Sequence, residues 1–209
     1  MKERRERLVE SVGIMKKLWS EEFVTYKGKY YTIEAANLYM KADVPIFIAG
    51  FGEKMARIAG AMGDGFLTVI KPVDYIKSTL FPAVDAGARS VGKRIDDVIK
   101  VLEIDMSYDE DYDRALSSLR FWAPTLLEEP FIKPISDPRE LEEMGKQVTD
   151  EQLAKAFLVG TSPEEHIKRI EEAFDIGFNH VYVQSNSPNE EKCIEMYRKE
   201  VLPYFSGKT

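Results

Sequence analysis

Residues 44–70 read VPIFIAGFGEKMARIAGAMGDGFLTVI, and this stretch decides the fold class of the chain. It begins with a short, nearly all-apolar run over 44–49 and ends with a second apolar run over 66–70. Apolar runs of this length are typical of strands that are buried on both faces. Between them, residues 53–61 have the pattern of a helix that follows a glycine-containing turn. The stretch therefore predicts a β-α-β unit in a parallel sheet.

The alternation of strands and helices continues on both sides of this unit. On the N-terminal side, apolar spacing predicts a helix over 3–19, and two β-rich runs within 23–33 predict a hairpin. On the C-terminal side we predict two further strands of the sheet, at 101–108 and 180–184. The other predicted segments are helices over 73–90, 111–119, 162–176 and 189–201, short helices after Pro138 and Asp150, an irregular segment over 121–135 and an extended piece over 157–161.

Four strands that alternate with helices imply right-handed crossovers and a parallel sheet. Two architectures satisfy this pattern: an open doubly wound sheet, and part of a TIM (β/α)8 barrel. A complete barrel needs eight strands and about 250 residues. This chain has 209 residues and four predicted strands, and periodicity alone does not separate the two architectures.

Bulk composition excludes several classes of function. The formal net charge of -7 argues against nucleic acid as a partner, because a nucleic-acid footprint is basic. The first five residues are too charged for a signal peptide, and no apolar run approaches the ~20 residues of a membrane span. These features predict a soluble cytoplasmic protein without a membrane partner.

Cysteine and histidine are too rare for a metal centre. The single cysteine, Cys193, excludes an intrachain disulfide and a cysteine-cluster metal site, and we interpret it as a helix residue rather than a nucleophile. The two histidines, His166 and His180, are too far apart for helical metal spacing, so we predict no metal. We expect His166 to be solvated because it lies on a charged helix.

Four short motifs carry a family resemblance. They are Gly63-Asp64-Gly65-Phe66, Ser107-Tyr108-Asp109, Arg120-Phe121-Trp122-Ala123-Pro124 and Gly177-Phe178-Asn179-His180-Val181. In this order and at these spacings, the chain resembles the F420-dependent glucose-6-phosphate dehydrogenase-like family of the luciferase-like oxidoreductase superfamily. The first motif recurs across that superfamily, whereas the run that begins at Arg120 is much more specific. The likeness covers essentially the whole chain.

The resemblance implies both a fold and an activity. It implies a TIM barrel, coenzyme F420 as the cofactor, and hydride transfer between the deazaflavin and a sugar phosphate or another alcohol-type substrate. The alternative within the superfamily is a monooxygenase that uses FMN, although the run that begins at Arg120 argues against it. An alternative of another class is a non-catalytic half-barrel that serves as an assembly or binding module.

The resemblance extends only to the second half of the family's barrel. It implies that residues 1–209 form one luciferase-like domain, the C-terminal half of a (β/α)8 barrel with four parallel strands, an N-terminal helix, a β-hairpin and a helical insertion. The family's catalytic histidine, tryptophan and acid lie in the first four strands. No catalytic residue is therefore assigned, and this half is expected to be inactive alone. A truncated gene, which we favour, a complementing N-terminal half or a homodimer would each account for the missing strands.

The predicted cofactor-binding residues are Ala49, Gly50, Phe51 and Gly52, at the turn after the first strand of the sheet. By resemblance, this loop contacts the phosphate-bearing tail of the coenzyme. Glycine allows close backbone approach there, and the following helix offers unpaired N–H groups. The family usually has a second glycine at the position of Phe51 and a proline at that of Glu53, and a carboxylate beside a phosphate is unfavourable. The alternative is a plain strand-to-helix turn.

The predicted substrate-binding residues are Lys71, Lys133 and Trp122. With a one-residue gap, Lys71 matches a family lysine that holds the substrate phosphate, and Lys133 lies one position from a second. Ala156 stands where the family has the third phosphate ligand, an arginine. The small-molecule substrate is therefore a phosphorylated alcohol or a related one without phosphate. Lys71 is alternatively a solvated surface lysine, and Trp122 either covers the substrate pocket or anchors its segment by burial.

Two carboxylates, Glu103 and Asp105, share one side of the strand predicted at 101–108. Carboxylates on a barrel strand either lie near the substrate or are satisfied by polar partners within the barrel. We favour the second interpretation.

Overall fold

The predicted β-α-β unit is present in the computed structural model, which describes residues 3–207. Contacts divide the chain into two units, the first ending at Val101 and the second beginning at Leu102. The prediction of a single domain stays a prediction. The helices and strands of the first unit are α1 (Arg4–Ser20), β1 (Val24–Lys27), β2 (Thr32–Ala36), β3 (Phe47–Ala49), α2 (Glu53–Met62), β4 (Gly65–Val69), α3 (Val73–Tyr75) and α4 (Phe81–Arg89).

The elements of the first unit follow the predicted order. Strands β1 and β2 form the predicted antiparallel hairpin. Strands β3 and β4 are parallel, with Ile48 opposite Phe66, and α2 connects them. A π-helical turn, Ile76–Leu80, joins α3 to α4, so the helix predicted over 73–90 is one continuous helical segment.

Helices α2 and α4 approach each other closely because both carry glycine at their contact. A methyl group at Gly60 would clash with the carbonyl oxygen of Val84, and one at Gly87 would clash with the carbonyl oxygen of Arg57. The largest fully buried side chains of this unit lie on β1, on β4, on the helical segment that includes α4 and just before residue 99; they are Val24, Phe66, Ile76, Leu80, Val84 and Val98.

Strand β3 departs from the prediction. Ile48 is buried, but Phe47 and Ala49 on either side of it are exposed. The prediction of a strand buried on both faces is therefore wrong for β3, because the first unit covers the face that carries Phe47 only in part. Strand β4 is closer to the prediction, with Phe66 and Thr68 fully buried.

The second unit contains the remaining strands and helices. They are β5 (Ile99–Tyr108), which begins three residues before the boundary, α5 (Tyr112–Ser118), α6 (Glu129–Ile132), α7 (Pro138–Gly145), α8 (Asp150–Ala156), β6 (Leu158–Gly160), α9 (Pro163–Ile176), β7 (His180–Ser185), α10 (Glu190–Met196) and α11 (Leu202–Ser206). A π-helical turn, Tyr197–Val201, joins α10 to α11.

The strands of this unit meet at β5. Strand β6 is parallel to β5, with Met106 opposite Leu158, and β7 pairs with β5 as well. The extended piece predicted over 157–161 thus contains an additional strand, and residues 3–207 form five strands outside the hairpin rather than the four predicted. The predicted alternation along β5 is confirmed, since Leu102, Ile104 and Met106 are buried.

The segment over 121–135 is more regular than predicted. A 3-10 helix, Leu119–Leu126, contains Pro124, and α6 follows it. The prediction of an irregular segment over 121–135 is therefore wrong for most of its length, because short helical stretches form around Pro124 and Pro130. This segment packs onto a buried cluster formed by Leu116, Leu119, Ala123, Val148 and Leu153.

Capping residues are found at the helix boundaries where the sequence predicts them. Thr149 and Gln152 form a reciprocal capping box at the start of α8, and Ser162 and Glu165 form another at the start of α9. Gly177 ends α9 with φ at 117°, a left-handed conformation that favours glycine.

Candidate functional site

The turn between β3 and α2 brings together the predicted cofactor-binding residues. The Gly50 N–H donates to the carbonyl oxygen of Leu67, at 2.9 Å. A methyl group at Gly50 would clash with the Cβ atom of Met55. Glycine at position 50 is therefore explained by the packing of the turn against α2, without any ligand.

Gly52 differs from Gly50, because space is open beside it. It precedes α2 with an extended backbone (φ -148°, ψ 164°), and its carbonyl accepts the N–H groups of Met55 and Ala56. A methyl group at Gly52 would meet only the hydroxyl of Tyr75, at 3.9 Å. No side chain caps α2, so the N–H groups at its start are available to an anion.

Lys71, predicted to bind the substrate, has its ammonium near the ring of Phe51 in this turn. Its Nζ atom is 5.8 Å from the centroid of the Phe51 ring, which is 59% exposed. Lys71 forms no hydrogen bond or ion pair with residues 3–207. The first unit thus places an uncommitted cation next to an uncapped helix start.

The donors at this turn fit a phosphate-bearing group. They are the free N–H groups at the start of α2, the open space at Gly52 and the ammonium of Lys71. Glu53, in the first turn of α2, opposes an anion, because like charges repel. Lys54, which follows Glu53 and which the sequence did not single out, lines a separate cavity beside α1 and adds no cation to this turn.

The other two predicted substrate-binding residues lie in the second unit. The half-buried Trp122 packs edge-to-face against Phe121, with ring centroids 5.5 Å apart. Lys133 is exposed and forms an ion pair with Glu129 at 3.0 Å, which raises the pKa of the lysine. An anion would have to compete with Glu129 for Lys133.

Arg120, which opens the most specific motif, has a structural task. Its guanidinium donates to the carbonyl of Val148 and to the carboxylate of Asp150 in the first turn of α8. Ala123, three residues later, is fully buried, and the ring of Pro124 packs against Gly145. The motif therefore ties α7 and α8 to the 3-10 helix.

The Gly63-Asp64-Gly65 motif is likewise structural. The Asp64 carboxylate accepts the N–H of Ile46 at 2.8 Å, and the Asp64 N–H donates to the Ile46 carbonyl at 2.8 Å. A side chain at position 65 would collide with the ring of Phe47. The motif thus positions the start of β3 beside the start of β4.

Glu103 and Asp105 lie on one side of β5 and are half-buried. Burial raises the pKa of both carboxyl groups, and Asp105 adds to the rise at Glu103. The expectation that polar partners satisfy them is wrong within residues 3–207, where neither carboxylate has a hydrogen bond or an ion pair. Partial exposure lets water solvate both groups instead.

His166 contradicts the expectation of a solvated histidine. It is fully buried, because it shares one face of α9 with Ile170 and Ala173. The spacing of these three residues was the sequence signal for burial. Cys193 is also buried, within α10, and its Sγ accepts a hydrogen bond from Ser185 at 3.5 Å. Cys193 is therefore a helix residue, as interpreted.

The described part of the chain has neither a metal-binding cluster nor a membrane-spanning helix. Within residues 3–207, no group of three or more His, Cys, Asp and Glu side chains is arranged to hold a metal ion. No helix in the same range is long and apolar enough to cross a membrane.

Sequence comparison finds relatives of one kind. Residues 1–180 match the profile of a family described as luciferase-like monooxygenase. The F420-dependent glucose-6-phosphate dehydrogenase of Intrasporangium calvum is 37% identical over 209 residues, covering 99% of this chain and 63% of that protein. The protein of the same name from Microbacterium testaceum is 36% identical and covers 96% of this chain and 61% of that protein. The chain spans about three fifths of the length of these relatives.

Solved structures agree with the sequence comparison. An F420-dependent secondary alcohol dehydrogenase in complex with an F420-acetone adduct superimposes with a TM-score of 0.86 and 33% identity, over 95% of this chain and 61% of that one. The coenzyme F420-dependent tetrahydromethanopterin reductase of Methanopyrus kandleri superimposes with a TM-score of 0.73 and 22% identity, over 95% of this chain and 62% of that one. At this identity the likeness supports the fold alone. The α/β fold expected for part of a TIM barrel is confirmed, and the matched share is nearer three fifths than half.

Proposed function

Because the chain belongs to the luciferase-like monooxygenase family, as a partial-length member among its F420-dependent oxidoreductases, we propose that it provides the coenzyme-tail and substrate-anion platform of an F420-dependent oxidoreductase. The observation that carries the proposal is the pairing of Lys71 with the uncapped start of α2 beside Gly52. A cation and free backbone N–H groups at one turn are the donors that a phosphate group needs.

Each residue of the turn has a proposed task. The N–H groups at the start of α2 hold the anionic tail, and Gly52 leaves room for it. The ammonium of Lys71 is proposed to hold this tail as well, rather than the substrate phosphate that the resemblance implies. The exposed ring of Phe51 supplies an apolar surface next to Lys71. Coenzyme F420, when bound, supplies the hydride chemistry, and this chain supplies binding and orientation.

The proposed substrate is an alcohol, with or without a phosphate group. The relatives include enzymes named for glucose 6-phosphate and one named for secondary alcohols. Lys133 is engaged by Glu129, and Ala156 replaces the arginine that the resemblance implies as a phosphate ligand. Both features favour a secondary alcohol without a phosphate group, because the binding of such a substrate does not need three phosphate ligands.

Catalysis is proposed to require the rest of the barrel. The resemblance places the catalytic histidine, tryptophan and acid outside the matched part, so the chain alone is expected to bind without turnover. A complementing N-terminal half would supply the first four strands, whereas a second copy in a homodimer would complete a barrel-like assembly without them.

Titration with purified F420 and, separately, with FMN tests the proposal. Deazaflavin and flavin fluorescence are measured against increasing concentrations of the chain, and sedimentation equilibrium gives the oligomeric state. The proposal predicts saturable binding of F420 and weaker binding of FMN. Tighter binding of FMN would favour the monooxygenase alternative. A defined oligomer that binds neither compound would favour the non-catalytic assembly module.

A further inference from the structure

An open cavity of about 620 Å³ lies in the first unit, between α1, the β1–β2 hairpin and α2. We propose that this cavity binds a small organic anion with an apolar or aromatic body. Its volume is within the range of about 300–1,000 Å³ that is typical of ligand pockets. The inference does not rest on the proposed function, because it uses a different surface of the first unit.

Gly13 is the first observation that points to a ligand. It lies in the middle of α1, where glycine is unfavourable, and a methyl group there would meet nothing within 4 Å. Gly13 therefore faces unfilled space and is not explained by packing. Val9, one turn earlier on the same side of α1, and Ile58 of α2 provide apolar surface around that space.

The acidic side chains of the cavity are already satisfied. The Glu6 carboxylate accepts from Lys29 Nζ at 2.6 Å and from the Tyr30 hydroxyl at 2.5 Å. Lys29 is the largest cause of the lowered pKa of Glu6. Glu10 accepts the backbone N–H groups of Tyr30 and Tyr31, at 2.9 to 3.2 Å. Glu6 is therefore paired with a cation, whereas Glu10 has its hydrogen bonds satisfied and keeps its negative charge.

Two cations at the cavity are not satisfied in this way. Arg5 and Lys54 line it, and neither forms a hydrogen bond or an ion pair with residues 3–207. Arg5 acts on Glu6 only through a weak electrostatic attraction. With Glu6 paired to Lys29, the charges of Arg5 and Lys54 exceed that of Glu10, so the cavity has a net positive charge beside an apolar floor. This combination is complementary to a carboxylate or sulfonate on an aromatic or aliphatic body.

Two fluorescent probes of similar shape test the charge requirement. The anion 8-anilinonaphthalene-1-sulfonate and its uncharged counterpart N-phenyl-1-naphthylamine are titrated against the full chain, and amide chemical shifts locate the bound probe. We expect the sulfonate to bind more tightly, by fivefold or more, and to shift the amide resonances of Gly13 and Lys54. Equal affinity for the two probes, or shifts confined to other residues, would overturn the inference.

Matched variants test separately whether binding needs the open space beside Gly13 and whether it needs the charge of Lys54. Gly13→Leu fills the cavity and should abolish sulfonate binding, whereas Gly13→Ala leaves most of the space and should retain it. Lys54→Gln should weaken the sulfonate several-fold, while Lys27→Gln, the same change at an exposed lysine outside the cavity, should not. Unchanged binding in Gly13→Leu would overturn the proposal. So would a Gly13 resonance that shifts with protein concentration and not with probe, which would mean that a second copy fills the cavity.

Discussion

The Nδ1 atom of His166 lies 3.0 Å from the phenolic oxygen of Tyr197, within the core of the second unit. The Tyr108 ring packs edge-on against the imidazole at 5.7 Å, and the Gly160 backbone lies so close to Nε2 that a side chain there would clash. Burial lowers the pKa of His166 to about 4 and raises the pKa of Tyr197. Both groups are therefore neutral near pH 7.

The buried His166 should make stability depend on pH. Its pKa in the folded state, about 4, is below the ordinary value of 6.5, so the unfolded chain binds more protons between these values. Stability from this group is thus present above about pH 6.5 and is lost as the pH falls towards about 4. We expect the free energy of unfolding, measured with urea, to fall by about 2 kcal/mol between pH 7 and pH 5 from this group.

The second histidine provides the control. His180 is exposed at the start of β7, so His180→Gln should keep the pH dependence, whereas His166→Gln should remove most of it at the cost of lower stability at pH 7. A similar slope in both variants would show that His166 does not carry the effect.

Two helical glycines should respond to alanine in opposite directions. Gly87→Ala forces a methyl group onto the backbone of Arg57, so we expect it to destabilise the first unit by about 2 kcal/mol. Gly13→Ala adds a methyl group in open space and should stabilise α1 by up to about 1 kcal/mol. Urea unfolding followed by circular dichroism measures both. A loss of stability in Gly13→Ala, or none in Gly87→Ala, would contradict the packing described above.

Arg120 should matter more for stability than an arginine in an exposed ion pair. Arg120→Gln removes the charged donor to the Val148 carbonyl and the Asp150 carboxylate, and should cost about 1.5–3 kcal/mol. Arg139 pairs with Asp137 and is largely exposed, so Arg139→Gln should lower the free energy of unfolding by less than about 1 kcal/mol. Thermal unfolding compares the two variants, and equal shifts in midpoint would argue against the anchoring task of Arg120.

Much of the fold could be predicted from local signals. The capping boxes at Thr149 and Ser162 and the left-handed Gly177 lie where helix starts and stops were expected. Each of these signals involves only one to four neighbouring residues, so it can be recognised without knowledge of the tertiary structure.

The predictions that were wrong concern residues whose environment is set by tertiary contacts rather than by the local sequence pattern. Leu158–Gly160 is too short to identify as a sheet strand until β5 is known to pair with it. The charged neighbours of His166 predict an exposed side chain. Its four-residue spacing from Ile170 instead places it on the buried face of α9. Phe47 was assigned to the core, yet the face it occupies is open in the first unit.

The candidate site could be predicted in part. Gly52 and Lys71 follow two different strands, and the structure places Gly52 near the Tyr75 hydroxyl and Lys71 near the ring of Phe51. Sequence could not show that Gly50 is needed for packing against Met55, since that requires the geometry of the turn. Nor could it show that Lys133 is held by Glu129.

The most direct test of the proposed function compares two lysines by F420 binding. Lys71 lies beside Phe51 at the turn, while Lys77 is exposed in the π-helical turn of the same unit. Fluorescence titration with F420 should give a dissociation constant that rises about fivefold in Lys71→Gln, which corresponds to about 1 kcal/mol, and stays unchanged in Lys77→Gln. Equal dissociation constants in the two variants, or no binding of F420 by the unmodified chain, would contradict the proposal that this turn holds the coenzyme.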